Sequence, residues 1–207
     1  MYEALHSFLN IFLAIALYSI VHSVLASLWV KAQVRRLAGA EADRWYRLMY
    51  NAFAVVSLVP VLVMVMLLPD HTLYSIPFPF LIIPVVIQVL AGLALAYGVW
   101  QTGVWSFLGI EQFLTPAKQK HRRLVLDGLY RYVRHPLYTA GLVLIWFNPV
   151  MTVNLLALNL GLTAYLVFGA MVEERKLVRE HGTDYEAYRQ STPMLIPHFP
   201  RKDEKLS

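Results

Sequence analysis

Two stretches of this chain carry side chains able to bind and react with a small zwitterion. Residues 128–141 read GLYRYVRHPLYTAG, and Glu173-Glu174 stand side by side at the end of an apolar run. Pro136 suits the first turn of a helix, where its missing N–H costs nothing, and His135 before it is biased out of the helical region. The free N–H groups of that helix start, with Arg134 beside them, make a cradle for a carboxylate. Opposite, Glu173 or Glu174 can hold an ammonium, and tyrosine faces attract a nearby sulfonium. Such a set recognises an amino-acid moiety. The same residues also admit plainer roles: Arg131 and Arg134 reaching to lipid headgroups, the tyrosines forming an interfacial belt, and the glutamates ending a helix in pairs with Arg175, Lys176 or Arg179.

The elements that position these groups belong in lipid. Of 207 residues, 58% are hydrophobic and only 15% charged, a profile that excludes an ordinary soluble domain and a disordered one. With no cysteine, thiolate catalysis, Cys-ligated zinc and disulfides are excluded, and no metal site is expected. The start, MYEALHSFLN, has no positive region before its apolar run and reads as a retained helix rather than a cleaved signal.

A crossing helix needs roughly 20 apolar residues. Spans are expected over about 5–30, 47–68 and 80–101, with a fourth and fifth in 137–172 folded back around Asn148-Pro149. All 18 lysines and arginines lie between the first two spans, between the third and fourth, or after the last. The positive-inside rule then gives five spans, with the N-terminus outside and the C-terminus cytoplasmic. The +5 net charge is a topology signal first. It can also hold acidic membrane lipid, and a nucleic-acid partner is not expected.

The fourth span, from Leu137 to Asn148, would be only about 18 Å long, against a hydrocarbon core of about 30 Å. Such a short helix implies a polar cavity in the cytoplasmic half, with RHPLY on its wall. Ser19, Ser23, Ala26 and Ser27 form a small-residue face on the first span, and Gly92, Ala96 and Gly98 form another on the third. His22, inside the first span, is either functional or a neutral histidine bonded to a neighbouring helix. Asn154 and Asn159 read as interhelical bonds. After the last span, Glu173–His181 continues as helix to Gly182. Thr183 and Glu186 match a capping box, and the tail, with Tyr185, Tyr188, Leu195 and Phe199, is expected to fold back as a helical lid.

The order LDGLYRYVRHPLYTAG, then EER, then GTDYEAYRQSTPMLIP resembles the isoprenylcysteine carboxyl methyltransferase family of membrane enzymes. The likeness covers about residues 107–199. It implies S-adenosylmethionine as methyl donor under a cytoplasmic lid, with His135, Pro136 and Tyr138 in the donor pocket and Glu173 or Glu174 on the methionine ammonium. The full expected donor set is Gln112, Tyr130, Arg134, His135, Pro136, Tyr138, Glu173, Glu174, Tyr185 and Tyr188, and the catalytic set Arg175, Glu174 and His135. Phospholipid N-methyltransferases and bacterial methanethiol S-methyltransferases are similar over the same half. HSVLASLWVK and RLMYNAFAVVSL resemble a membrane family associated with nitrite and nitric-oxide reduction.

The expectation is thus an all-α integral membrane protein of one domain, 1–207. It has three N-terminal spans (1–101) and a catalytic half (102–207) whose short fourth helix forms a hairpin with the fifth. Its acceptor is a carboxylate or thiol on a lipophilic or prenylated molecule entering from the bilayer of a bacterial inner membrane. Arg175, Glu111, Gln112 or His121 would hold a substrate carboxylate, and His135, His121 or a glutamate would serve as base for a thiol. Two rival readings are an NADPH-dependent sterol-type reductase and a non-catalytic partner in nitrogen-oxide metabolism with His6, His22 or His71 as ligands. The reductases typically carry Asn after the His-Pro, where this chain has Leu137.

Overall fold

The computed structural model describes residues 2–39, 41–114 and 124–197, without the side chain of Gln112. His121 and Phe199 therefore lie outside the described residues. The chain runs through α1 (Tyr2–Ala26), α2 (Leu28–Ala38), α3 (Ala42–Leu67), β1 (Thr72–Ser75), α4 (Ile82–Thr102), α5 (Val104–Leu108) and α6 (Ile110–Leu114). It continues through α7 (Pro136–Trp146), β2 (Val150–Thr152), α8 (Val153–His181) and α9 (Thr183–Ser191). Helices α1, α3, α4 and α8 are long and apolar enough to cross a membrane, while α7 is apolar but has only 11 residues. Their outward faces present side chains such as Leu13, Val55 and Leu93, which are 65%, 68% and 63% exposed. Such faces suit hydrocarbon, since a helix satisfies all its backbone groups internally.

The interior is built where α1 runs parallel to α8, with Ile11, Ile15, Ala157, Leu158 and Val61 of α3 fully or nearly buried. A Cβ at Gly161 would stand 2.1 Å from Ile15 Cγ2, so the glycine allows the two backbones to approach. The close approach thus falls at a glycine of α8. Ser27 leaves that span altogether. Its backbone is extended and its hydroxyl accepts from the Val30 N–H, so the first span ends at Ala26 and residues 28–30 open a second helix. On α4, Gly98 meets Leu137 of α7 as expected of a packing surface, whereas Gly92 faces open space.

Polar side chains fasten the helices. Asn154 donates to the carbonyls of Val65 and Leu68, and Asn159 donates to Ile145 O, as expected of both. Trp146 Nε1 donates to Thr163 on α8, and Gln88 of α4 donates to Leu144 O on α7.

The two ends of the bundle differ in kind. At one end β1 pairs antiparallel with β2, a contact that the sequence reading did not anticipate. It gives backbone partners to the turn after α7, and Asp70 Oδ1 accepts from Asn154 N at the start of α8. At the other end Tyr46 donates to Leu25 O, Asn51 donates to the carbonyls of Phe107 and Leu108, and Arg44 donates to Phe113 O. The cations of α2, α3 and the 128–134 segment gather there, while segments 69–79 and 147–152, which carry no Lys or Arg, meet at the sheet.

Beyond the membrane portion, α8 continues to His181 and stops at Gly182, whose φ of +58 suits glycine. The expected capping box does not form. Gly182 is the N-cap of α9 and no side chain caps it, because the left-handed residue turns the chain sharply and puts Thr183 inside the first turn.

Candidate active site

Each candidate side chain is placed by a local device. The 128–134 segment enters through Gly128, at φ +61, where a Cβ would come within 2.7 Å of the Gln101 amide. Gln101 in turn donates to Asp127 O, pinning this segment to the end of α4. A single 3-10 turn, Gly128–Arg131, follows. His135 then stays outside the helical region, at φ −124 and ψ 66, as the residue before proline must, and Pro136 opens α7.

Arg134 and His135 are covered by the tail. The N–H groups of Arg134 and His135 donate to Pro193 O and Met194 O at 2.9 and 3.1 Å, and Thr139 Oγ1 donates to Leu195 O. Below α9, Tyr188 Oη donates to Tyr130 O at 2.5 Å, and Tyr185, 1% exposed, packs edge-on against Tyr188.

Arg134 does not form a free cradle for an incoming carboxylate. Its Nε and Nη2 each lie 2.6 Å from Glu174 Oε1, and its Nη1 donates to Arg189 O and Thr192 O. The side chains are 9% and 11% exposed, so this is a buried ion pair whose remaining donor holds the tail. The paired carboxylate draws the guanidinium away from solvent, which the sequence reading could not see.

Glu173 is different. It accepts from Tyr138 Oη at 2.9 Å through Oε2, and its side chain stays 46% exposed. His135 stacks on Tyr138, with 5.4 Å between ring centroids. Its Nδ1 lies 3.8 Å from Glu173 and its Nε2 lies 3.5 Å from Glu174, both too long for strong hydrogen bonds. Burial lowers His135 below its usual value, with both glutamates partly opposing, so the ring is neutral near pH 7. The Tyr185 hydroxyl is pushed up to about 12, by burial first and then by Glu174, and Tyr130 is raised by burial and by Glu173.

The lowered His135 has a signed consequence. The unfolded chain takes up a proton near pH 6.5 and the folded chain does so only further down. Stability is therefore full above that value and is lost as pH falls towards the folded one, by up to about 1.4 kcal/mol per pH unit. Thermal melts at pH 7.5 and 5.0 should show His135→Asn losing less stability on acidification than the wild type. Equal losses would mean that the ring titrates alike in the folded and unfolded chain.

The structure brings Tyr130, Arg134, His135, Pro136, Tyr138, Glu173, Glu174, Tyr185 and Tyr188 together. It does not bring in Arg175, which is exposed on α8 and makes no side-chain hydrogen bond or ion pair among the described residues. Glu111 is also exposed, and the Gln112 side chain lies outside the described residues. Thr139 and the carbonyls of 192–195 escaped notice, since backbone acceptors leave no mark in a sequence. Two buried polar atoms at the cluster, His135 Nε2 and the Tyr185 hydroxyl, have no hydrogen-bond partner among the described residues. With the exposed oxygen of Glu173, the site thus offers more polar groups than the protein itself satisfies, which fits a polar, cationic ligand.

Residues 82–184, about half of the chain, match the phospholipid methyltransferase family. A methanethiol S-methyltransferase of Crocosphaera subtropica is 40% identical over 92 residues, which are 44% of this chain and 34% of that protein. Methanethiol S-methyltransferase 1 of Bradyrhizobium diazoefficiens is 29% identical over 189 residues, 89% of this chain and 65% of that protein, so the likeness extends into the first half. A protein-S-isoprenylcysteine O-methyltransferase of Schizosaccharomyces pombe is 29% identical over 123 residues, 50% of this chain and 52% of that protein. The matches span about a third to two thirds of the length of these relatives. No solved structure matches the chain.

Proposed function

We propose that this chain, which belongs through residues 82–184 to the phospholipid methyltransferase family, is an integral membrane methyltransferase that methylates a small thiol at the expense of S-adenosylmethionine. The observation that carries the donor side is Glu173, a half-exposed carboxylate with Tyr138 on one oxygen. It would hold the ammonium, with the rings of Tyr138 and Tyr130 beside the sulfonium. His135, neutral by burial, places no positive charge against that cation. The Arg134–Glu174 pair keeps the tail, residues 183–197, as a lid over the pocket. When bound, S-adenosylmethionine supplies a methyl group already activated by its sulfonium, so the protein's task is alignment at about 3–3.5 Å and removal of a thiol proton.

A thiol is favoured over a carboxylate acceptor on two grounds. Relatives covering up to 89% of the chain are named methanethiol S-methyltransferases. A carboxylate acceptor would also need a cation, and Arg134 is taken up by Glu174 while Arg175 faces out. In this reading the protein makes five crossings, with α7 as a short fourth paired to α8. The N-terminus lies outside, the lid and active site are cytoplasmic, and the membrane is the bacterial inner one. The distribution of cations supports this arrangement.

Calorimetric titration of the detergent-purified protein with S-adenosylhomocysteine, in parallel with NADPH, tests the reading. Micromolar binding of the former and no heat from the latter is expected. Binding of NADPH alone would replace it with a reductase.

A further inference from the structure

His22 has no task in the donor site, yet it is held more tightly than a packing histidine requires. Its Nδ1 lies 2.9 Å from Tyr50 Oη of α3 and 2.5 Å from Tyr165 Oη of α8, and Tyr18 stacks on the ring with 5.5 Å between centroids. Two neighbouring helices thus fix one nitrogen, while Nε2 makes no hydrogen bond to any described residue. Its placement borders the donor site. Counted from the Ile15–Gly161 contact along parallel helices, His22 stands level with residue 168, about 7 Å short of Glu173 along the axis. Tyr138, which holds Glu173, lies within electrostatic reach of both Tyr50 and Tyr165. A groove of about 290 Å³ between α1 and α3 is lined by Leu17, Tyr18, Val21, Phe53 and Val61, and Val21 and Phe53 lie one and three residues from His22 and Tyr50 in the chain.

We infer that His22 is the base for the acceptor thiol, oriented by Tyr50 and Tyr165, and that a small apolar thiol reaches it sideways along the α1–α3 groove. The inference rests on the methyltransferase reading above. An alkyl thiol is mostly protonated at neutral pH and only its thiolate is a good nucleophile, so a base is required within the membrane. In the tautomer with the proton on Nδ1, that N–H points to the tyrosine oxygens and the Nε2 lone pair is free; one second-shell bond sets which nitrogen reacts. The thiol passes its proton to Nε2. The acceptor sulfur then forms a bond to the methyl carbon while the carbon–sulfonium bond breaks, its electron pair staying on the donor sulfur as a neutral thioether. The imidazolium keeps its Nδ1–H on the tyrosines and loses the transferred proton to water when the products leave. The titratable groups facing the ring are Tyr18 on its own helix, Tyr50 on α3 and Tyr165 on α8, with Tyr46 and Tyr138 next out.

The test uses the full chain with S-adenosylmethionine and methanethiol or 1-butanethiol. His22→Gln should bind S-adenosylhomocysteine within about threefold of wild type while kcat falls at least about 100-fold at pH 7. The deficit should shrink as pH is raised towards the thiol's own ionisation. A variant active to within a few-fold, or one equally impaired at every pH, would overturn the assignment. If His22→Gln fails to bind S-adenosylhomocysteine, Tyr165→Phe decides: a loss of about tenfold with a displaced acid limb supports the base, and an unchanged pH profile removes it. A wild type that binds S-adenosylhomocysteine but methylates neither thiol rejects this inference and leaves the donor site standing. A wild type that does not bind it rejects both.

Discussion

Replacing Glu174 with alanine is expected to cost about 3–5 kcal/mol of stability, because it leaves the Arg134 guanidinium buried without its counter-charge. The Arg134 guanidinium then keeps the carbonyls of Arg189 and Thr192, which cannot neutralise it. The melting temperature in detergent should drop sharply, and limited proteolysis should cut the tail between α9 and residue 197 under conditions in which the wild type resists. The double variant Arg134→Met with Glu174→Met should melt higher than either single one, since it removes both charges. It should still release the tail, because the bonds to Arg189 O and Thr192 O are gone. Single variants that melt like the wild type would show that the pair is hydrated and does not secure the lid.

Glu173→Gln should do the reverse. Its side chain is 46% exposed and, among the described residues, its one hydrogen bond comes from the Tyr138 hydroxyl, which a glutamine carbonyl can equally accept. Melting should barely move. Removing the charge from the ammonium site should raise the dissociation constant for S-adenosylhomocysteine at least tenfold, or about 1.4 kcal/mol. The two adjacent glutamates are thereby separated by opposite signatures, stability for one and ligand affinity for the other. Unchanged binding in Glu173→Gln would move the ammonium elsewhere in the cluster.

Much of this was legible in the residues. Hydropathy located the long helices, since lipid enforces the pattern strictly, and Pro136, Gly182 and the cluster of prolines after Thr192 marked where helices begin and end. Asn154 and Asn159 announced their interhelical bonds because a buried amide has few other options. The sequence could not show which glutamate of an adjacent pair turns inward, because successive residues on a helix point about 100° apart and either can face Arg134. It also concealed the strand pairing of 72–75 with 150–152, for segments so short have no period to read. His22 was visible as an oddity in its span. Its partners Tyr50 and Tyr165 were not, since they lie 28 and 143 residues away in sequence and the packing of α1 on both α3 and α8 sets their meeting.

The paired strands matter beyond closing a turn. With Asp70 tethering the start of α8, they fasten one end of the bundle by backbone bonds. A long rod fixed at one end acts as a lever, and its far end amplifies any rotation. Glu173 lies twenty residues, about 30 Å, along α8 from that pivot, so a tilt of one degree displaces it by roughly 0.5 Å. Methyl transfer is sensitive to displacements of about 1 Å. Two segments remote from the active site therefore set the mechanical gain of the site, and loosening them would detune the reaction without touching a residue that meets the substrate.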